Sequence, residues 1–524
     1  MKKTFRLSMT WLHTWTGLLL GWVLFAIFVT GTATYFKAEI TRWMQPELRR
    51  GGTPLDAAAS AWKGLEARAP QSTRWFITLP DDRVTATTAF WQPGDGGKRF
   101  SNATLDPLTG DEVKARETRG GEFFYRFHFQ LQLPHPWGRY LAGVAAMFML
   151  VALITGVIAH RPFFKEFFTF RPERPPLRSF LDFHNVSGVL ALPFYFLISY
   201  SALVIFMAMY MPWARQVLSD SPANVARNEA KANAAKAADK NWVTPAPVGP
   251  MLDEVARRWG LEHPTLKRIE VTGRGTENMT VTFTRAESSH ISITAREQLR
   301  FDGVSGALLS DENATAGAAT AVHGALYGLH LARFAGPVLR WMLFAMGLMG
   351  CALIATGLVM WTIKRRPKYA KAGRRGFGQG LVERLNIATI AGLPVAIAAL
   401  FWANRLLPVE GETRSDDEVR VFLVVWAVML VHPLVRSVAR AWREQLWAGA
   451  LLYGALPIVD AASGPFLGEA LRRGDASYLG FHATMLFTSA ALGVAAKKLG
   501  RRMQIATHAQ PRMTPVSAEG GASV

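Results

Sequence analysis

Histidines at the ends of apolar segments are the residues of this sequence whose type and position suit metal or redox chemistry. His13, His160 and His184 each stand at one end of a long apolar run, and His128 and His330 stand just before two others. Ionisable residues at such positions are functional-site candidates by default. A haem iron held by two histidines needs one imidazole from each side of the ring, so haem chemistry requires that these histidines form pairs.

An internal repeat in the sequence provides two such pairs. His13 is matched by His184, and His128 is matched by His330. His13 and His184 are each followed four residues later by a glycine on the same helical face, and the missing side chain there leaves room for a flat macrocycle. These glycines are Gly17 and Gly188. The pattern predicts two haem b groups, one near each face of a membrane.

The remaining histidines break the repeat or stand alone. In the second copy Trp361 takes the place of His160, which is therefore either an alternative ligand of the inner haem or a partner for a haem propionate. His323, two turns before the outer ligand, is an alternate ligand or a supporting residue. His432 and His482 lie in later apolar runs and are interpreted as structural. Zinc or copper is disfavoured, because no carboxylate or sulfur ligand accompanies either pair.

Six arginines flank the histidines, and an arginine can form charge-assisted hydrogen bonds with haem propionates. Positive charge on the inner side of a membrane explains two of them without any haem. It does not explain the outer four, so propionate binding is the stronger interpretation there. The inner two are Arg161 and Arg178, and the outer four are Arg126, Arg139, Arg333 and Arg340.

Composition and charge place the chain in a membrane. Of its 524 residues 50% are hydrophobic and 19% are charged, and the net charge is +20. The basic residues cluster beside apolar runs, as in loops on the cytoplasmic side of a membrane, so nucleic acid is not an expected partner. Cys351 is the single cysteine, which excludes an intramolecular disulfide and a Cys-based metal centre.

Apolar runs of about 20 residues predict eight membrane-spanning helices. Lysine and arginine counts place both termini on the inner side, which predicts a multi-pass protein of the bacterial inner membrane with cytoplasmic termini and lipid as its surroundings. The expected spans are 11–36, 138–160, 184–211, 338–363, 384–403, 419–436, 446–463 and 477–497.

Two long segments, 37–137 and 212–337, fall on the outer side. Each begins with a helical pattern, at 54–67 and 251–259, and continues with strand-like alternation. We expect two α+β domains and an internal duplication of the first four spans. The predicted organisation is helix 1 in 1–36, outer domain 1 in 37–137, helices 2 and 3 in 138–211, outer domain 2 in 212–337, helix 4 in 338–366, a four-helix membrane region in 384–497 and a cytoplasmic tail in 498–524.

These strings resemble the PepSY-associated transmembrane family. The likeness covers residues 5–366 and is carried by the motifs His13-x-x-x-Gly17, Tyr125-Arg126-Phe127-His128, Ile154-Thr155-Gly156 and Leu181-Asp182-Phe183-His184-Asn185. It implies that the outer domains are PepSY-like and that the chain is similar to iron-regulated ferric-siderophore reductases. Ser201-Ala202 departs from the Thr-Gly of many members, and the four C-terminal spans are additional.

The residues and the resemblance together predict electron transfer from the inner to the outer side, with a ferric siderophore as acceptor. Reduction to Fe(II) weakens binding by hard oxygen ligands. The sequence has no G-x-G-x-x-G dinucleotide motif in a strand–helix context, so the expected donor is separate, either quinol or a cytosolic flavoprotein.

Two other functions stay open at this point. The chain could be a non-enzymatic, membrane-anchored PepSY binding or regulatory protein, which would bind no haem. It could also be a permease whose last four spans form part of a path. Against the permease, those spans contain a single intramembrane acid, Asp460.

Overall fold

The protein is described here by a computed structural model that falls into two compact units. The first unit comprises Met1–Arg374 and Leu407–Glu418, and the second comprises Arg375–Leu406 and Val419–Val524. The structure describes residues 3–48, 51–81, 83–92, 100–160, 171–173, 175–211, 213, 242–260, 266–285, 291–293, 297–313, 317–371, 376–411 and 413–508. The predicted roles of Arg161, of the 161–170 loop and of the last part of the tail fall outside these residues.

The first unit alternates membrane helices with an outer α+β layer. Its helices are α1 (Lys3–Leu19), α2 (Gly21–Thr34), α3 (Lys37–Met44), α4 (Pro54–Arg68), α5 (Glu122–Gln130), α6 (Trp137–Ala159), α7 (Pro176–Leu190), α8 (Leu192–Tyr210), α9 (Val248–Trp259), α10 (Ala318–Leu331) and α11 (Pro337–Lys371). Its strands are β1 (Arg74–Thr78), β2 (Thr87–Trp91), β3 (Ser101–Leu105), β4 (Leu266–Thr272), β5 (Thr280–Arg285), β6 (Glu297–Asp302) and β7 (Leu308–Asn313).

Among the described residues, seven helices are long and apolar enough to cross a membrane, or eight if the bent pair α1–α2 counts as one span. This agrees with a multi-pass helical membrane protein. The apolar pattern predicts one continuous first span over 11–36, whereas in the structure the helix axis bends by 64° between α1 and α2. The interruption at Leu20 precedes Gly21, where an added Cβ would lie 2.7 Å from the Leu358 side chain.

The third predicted span is interrupted in the same way. Helix α7 ends at Leu190 and α8 begins at Leu192, directly followed by Pro193. A proline removes one backbone donor and disfavours helical conformation in the residue before it, so the helix stops and restarts there. Both interruptions come seven or eight residues after the matched histidines, His13 and His184.

Helix contacts in the first unit occur in equivalent pairs. Helix α1 packs on α6 as α7 packs on α11, and α2 packs on α5 as α8 packs on α10. Helices of the two halves also pack on each other: α2 packs on α11, and α8 packs on α6. A duplication of helix, outer segment and helix predicts such equivalent contacts, and the duplication itself stays a prediction.

The outer strands form one seven-stranded antiparallel sheet in the order β3-β2-β1-β4-β5-β6-β7. Strands β1 and β4 join its two parts, with Trp75 opposite Val271 and Ile77 opposite Ile269. Helices α4 and α9 supply Trp62, Leu65 and Val255 to a common hydrophobic core with both sets of strands.

The two segments predicted as outer α+β domains, 37–137 and 212–337, thus share one sheet and one core. The physical reason is that each small sheet by itself would have an unpaired edge strand at β1 or β4. A three-stranded and a four-stranded sheet would each leave the backbone groups of β1 or β4 unpaired, and pairing these edges satisfies both.

A loop from the C-terminal part of the sequence lies against the outer segment. Arg414 and Glu418 form a buried ion pair, and Arg414 Nη1 donates a hydrogen bond to the Glu117 carbonyl at 2.7 Å. Ser415 Oγ is 3.0 Å from the Glu117 carboxylate. The loop thus lies on the same side as the 37–137 segment, as predicted for an outer loop over 404–418.

The second unit is helical. It contains α12 (Phe377–Asn386), a π-helical segment (Ile387–Ala391), α13 (Gly392–Leu406), most of α14 (Arg414–Val435), α15 (Val438–Ser463), α16 (Phe466–Arg473) and α17 (Ala476–His508). Within it α13 packs on α15, and α15 packs on α17. The π-helical segment lies between α12 and α13 and ends before Gly392, where an added Cβ would lie 2.7 Å from the Met429 side chain and 2.9 Å from Gln445 Oε1.

Candidate functional site

The inner histidine pair is formed by the first helices of the two halves. The rings of His13 on α1 and His184 on α7 have centroids 6.2 Å apart and planes inclined at 77°. His13 Nδ1 donates to the Ala152 carbonyl at 2.8 Å, and His184 Nδ1 donates to the Leu353 carbonyl at 2.9 Å. Each ring is thus oriented by the helix on which its own helix packs.

The outer pair repeats this arrangement with helices α5 and α10. The rings of His128 and His330 have centroids 6.0 Å apart and planes inclined at 36°. His128 Nδ1 donates to the Ile27 carbonyl at 2.8 Å. His330 Nδ1 lies 2.8 Å from Ser201 Oγ, whose hydroxyl donates to the Leu197 carbonyl. Both predicted pairs are therefore brought together.

The four rings share one chemical state. Three of the rings face a backbone carbonyl, which can only accept, and the His330 ring faces Ser201 Oγ, whose own proton goes to the Leu197 carbonyl. In all four rings Nδ1 therefore carries the proton and Nε2 keeps its lone pair. Burial lowers the pKa of His128 and lowers that of His330 to about 3, so both outer rings are neutral at pH 7. A neutral imidazole whose other nitrogen is fixed by a hydrogen bond is a good metal ligand.

The spacing of the rings fits one metal ion between each pair. A metal–nitrogen bond of about 2 Å plus about 1 Å from that nitrogen to the ring centroid, counted on both sides, gives roughly 6 Å. The observed values are 6.2 Å and 6.0 Å. Among the described residues no group of three or more His, Cys, Asp or Glu could hold a metal ion. The donor set fits a haem, whose ring supplies the other four ligands.

Glycines border the histidine rings in equivalent places. An added Cβ at Gly156 would lie 3.0 Å from the His13 ring, and one at Gly357 would lie 3.3 Å from the His184 ring. At Gly31 it would lie 2.5 Å from His128 Nδ1. An added Cβ at Gly17 would meet nothing within 4 Å, whereas one at Gly188 would lie 3.3 Å from the Leu353 side chain. The room for a macrocycle at these two glycines stays a prediction.

Replacing Gly31 by alanine is expected to weaken the outer site selectively. The new methyl would push the His128 ring away from the Ile27 carbonyl and out of line with His330. Loss of such an orienting contact costs about 10-fold to 100-fold in metal affinity. Haem titration of the purified variant measures the loss. Gly480→Ala is the control, because a Cβ there meets nothing within 4 Å. Equal outer-haem affinity in both variants would contradict this packing role.

The other predicted histidines lie at the margins of the pairs. His160 ends α6 and lies within electrostatic range of His184. His323 is on α10, one turn before Tyr327, with its ring centroid 6.1 Å from that of the tyrosine. Their predicted roles as alternative ligands or supporting groups stay predictions.

The predicted propionate-binding arginines divide into two groups. Arg340 donates to Glu39 at 3.2 Å, and Arg178 pairs with Asp182 at 3.2 Å. These two are already engaged by carboxylates, and Arg139 donates to Gln130. Arg126 and Arg333 are exposed near the outer pair, and their role at a propionate stays a prediction.

Sequence reasoning missed a pair of tyrosines beside the outer histidines. Tyr125 and Tyr327 each precede their histidine by three residues, and the two side chains lie near each other. The repeated Tyr-x-x-His string was the available signal. Sequence reasoning also gave Ser201 no chemical role, whereas its hydroxyl holds His330.

The second unit contains a buried polar cluster that the sequence did not reveal. Arg405 Nε donates to Asp460 at 2.7 Å, and both side chains have 0% exposure. Tyr478 Oη donates to the same carboxylate at 2.8 Å, and His482 Nε2 lies 3.0 Å from it. His482 was expected to stand alone, and this expectation is wrong because its partner lies on another helix. The same correction applies to the other late histidine, at 432, whose Nε2 is 2.8 Å from a Glu444 oxygen.

A comparison with family models gives one match. The model described as the PepSY-associated TM region matches residues 10–364, which lie within the first unit and include all four paired histidines. No curated protein matches the chain.

Proposed function

Because this chain belongs to the PepSY-associated transmembrane family, we propose that its first unit is a two-haem electron carrier that reduces ferric siderophores on the outer side of the bacterial inner membrane. The observation that carries the proposal is that four histidines form two pairs. The ring centroids lie 6.2 Å apart in the inner pair and 6.0 Å apart in the outer pair. A haem held by two imidazoles supplies one-electron redox chemistry.

The protein's own residues would set where that chemistry occurs. The orienting carbonyls of Ala152, Leu353 and Ile27, together with Ser201, hold the four rings before any ligand binds. A ring held in advance loses little conformational freedom on ligation, which favours tight binding of the cofactor.

The separation of the pairs supports transfer across the membrane. Ile27, whose carbonyl orients the outer pair, lies fourteen residues after His13 in the sequence. This corresponds to about 20 Å of helical chain at 1.5 Å per residue, and to a shorter straight-line distance because the chain bends by 64° between α1 and α2. One centre would serve only one face of a hydrocarbon layer about 30 Å thick, whereas two centres at this spacing divide the distance.

The sign of charge at the outer face supports an anionic acceptor. Arg126 and Arg333 are exposed beside the helices that carry the outer histidines, whereas Lys37 is paired with Glu122 at 2.8 Å. A ferric chelate is too polar to cross the hydrocarbon region, so it must meet the protein at this face. The electron donor would be a separate molecule, a quinol or a cytosolic flavoprotein.

The experiment is an absorption spectrum of the purified chain, oxidised and dithionite-reduced, followed by stopped-flow mixing of the reduced protein with a panel of ferric siderophores. We expect a low-spin haem b spectrum, two haems per chain by pyridine haemochrome, and haem reoxidation with Fe(II) trapped by ferrozine. Protein purified from haem-replete cells without a Soret band would overturn the haem proposal and favour the binding or regulatory role. Intact haems that no ferric siderophore reoxidises would overturn the acceptor.

A further inference from the structure

We propose that the loop Leu407–Glu418 is a clamp that fixes the start of α5 and thereby positions the outer ligand His128. The inference rests on the proposed function, because it concerns how the outer site of that function is held in place. The loop belongs to the first unit and includes the first turn of α14. It lies outside residues 10–364, which match the family model, so the clamp is supplied by a part of the chain beyond the matched region.

The clamp is built on a buried ion pair. Arg414 and Glu418 lie one turn apart at the start of α14, and their side chains are 2% and 0% exposed. Arg414 Nε donates to the Pro408 carbonyl at 2.9 Å, and its Nη1 donates to the Glu117 carbonyl at 2.7 Å. Removing two charges from water is unfavourable unless their remaining donors and acceptors are satisfied. These hydrogen bonds therefore favour one arrangement of the loop against the 117 carbonyl.

The clamp holds a part of the outer segment that has no regular secondary structure. Residues 113–119 form no helix or strand, so their polar groups need other partners. The Thr118 hydroxyl donates to the Glu418 carboxylate. Arg119 pairs with Asp416 nearer the surface, where an ion pair contributes little. The contact between Thr118 and Glu418 is therefore the main side-chain link from the loop to this segment.

Thr118 passes the restraint to the first turn of α5. Its hydroxyl accepts from the Gly120 backbone N–H at 3.1 Å, while the Gly121 N–H donates to Thr41 Oγ1 at 2.9 Å. Gly121 is packed closely against α3, because an added Cβ there would lie 2.1 Å from the Lys37 carbonyl oxygen. The backbone that enters α5 is thus fixed on two sides, by the clamp and by α3.

A short helix carries the restraint to the histidine. His128 lies six residues after α5 begins at Glu122, which is about 9 Å along the helix axis. Its ring meets the Ile27 carbonyl at 2.8 Å and faces the His330 ring at a centroid distance of 6.0 Å. The hydrogen bonds within a helix fix its length and direction, so α5 moves as one piece. A shift of its first turn therefore displaces the His128 ring relative to both partners.

Thr118→Val tests the clamp with little change in packing. Valine has the shape of threonine but lacks the hydroxyl, so it removes both the donor to Glu418 and the acceptor of the Gly120 N–H. Hydrogen exchange of the full chain in detergent should show the α5 amides exchanging about 10-fold faster, as expected when a hydrogen bond that opposes local opening is lost. The low-spin electron paramagnetic resonance signal of the outer haem should shift, and that of the inner haem should not.

Two further threonine variants serve as controls. Thr118→Ser keeps the hydroxyl and should give the wild-type exchange and spectrum. Thr109→Val removes a hydroxyl that accepts from the Asp111 N–H at 3.2 Å in the turn after β3, outside the clamp, and should change neither measurement. Threonine is substituted in preference to Glu418, because Glu418→Ala would leave the Arg414 guanidinium buried without its carboxylate and destabilise the fold.

Wild-type exchange of α5 in Thr118→Val would overturn the clamp. Equal shifts of both haem signals would also overturn it, because a restraint on α5 acts on the outer pair alone. A chain without haem would remove the electron carrier, while faster α5 exchange in its Thr118→Val variant would still support the clamp. Two intact haems together with unchanged α5 exchange would remove the clamp and leave the electron carrier standing.

Discussion

His128→Ala or His330→Ala is expected to reduce the haem content from two per chain to one. Each ring supplies one side of the outer centre, and the two ring centroids lie 6.0 Å apart. The inner haem should be retained, because its ligands are fixed by the separate carbonyls of Ala152 and Leu353. Pyridine haemochrome assay with protein quantification gives the stoichiometry.

The reciprocal variants test the symmetry of the pairing. His13→Ala or His184→Ala should remove the inner haem and leave the outer one. His135→Ala is the matched control, because this exposed histidine lies in the turn before α6. If His160→Ala abolished the inner haem while both His13→Ala and His184→Ala preserved it, the symmetric assignment would be wrong.

Asp460→Ala is expected to destabilise the second unit strongly. The substitution leaves the Arg405 guanidinium buried without its carboxylate and removes the acceptor of the Tyr478 hydroxyl. Removing one member of a buried ion pair costs about 3–5 kcal/mol. Thermal unfolding in detergent, followed by size-exclusion chromatography, should show early aggregation, while the haems of the first unit stay bound until their own transition.

The control for this substitution is Asp416→Ala. Asp416 pairs with Arg119 through a carboxylate that is 53% exposed, and an exposed pair contributes less than about 1 kcal/mol. If both variants unfolded at the wild-type temperature, the buried cluster would have no stabilising role. Asp460→Asn should fall between the two, because an amide can still accept from Tyr478.

The membrane helices and the histidine pairs could be predicted because their signals are local. A run of about 20 apolar residues predicts a span without reference to its neighbours. The repeated histidines have similar neighbouring residues. Pairing His13 with His184 therefore required only that similar sequence segments form equivalent helices in the two halves. The bend after Leu19 escaped prediction, because nothing in the apolar pattern of 11–36 interrupts at that point.

The joined sheet and the buried polar cluster escaped prediction because their partners are distant in sequence. The alternation of apolar and polar residues identifies Trp75 and Ile77 as strand residues. It does not show that their strand, β1, pairs with β4. His482 similarly lacks any carboxylate nearby in sequence. Its partner Asp460 lies on α15, and only the packing of α15 on α17 brings the two together.

The junction of β1 and β4 imposes an order on biosynthesis. About 190 residues separate Thr78 from Leu266, and synthesis at 5–20 residues per second takes about 10–40 seconds to cover them. During that interval β1 can pair with β2, but its other edge is unpaired. An unpaired strand edge can pair with another chain and cause aggregation. That edge of β1 is therefore exposed until β4 has been synthesised and can pair with it.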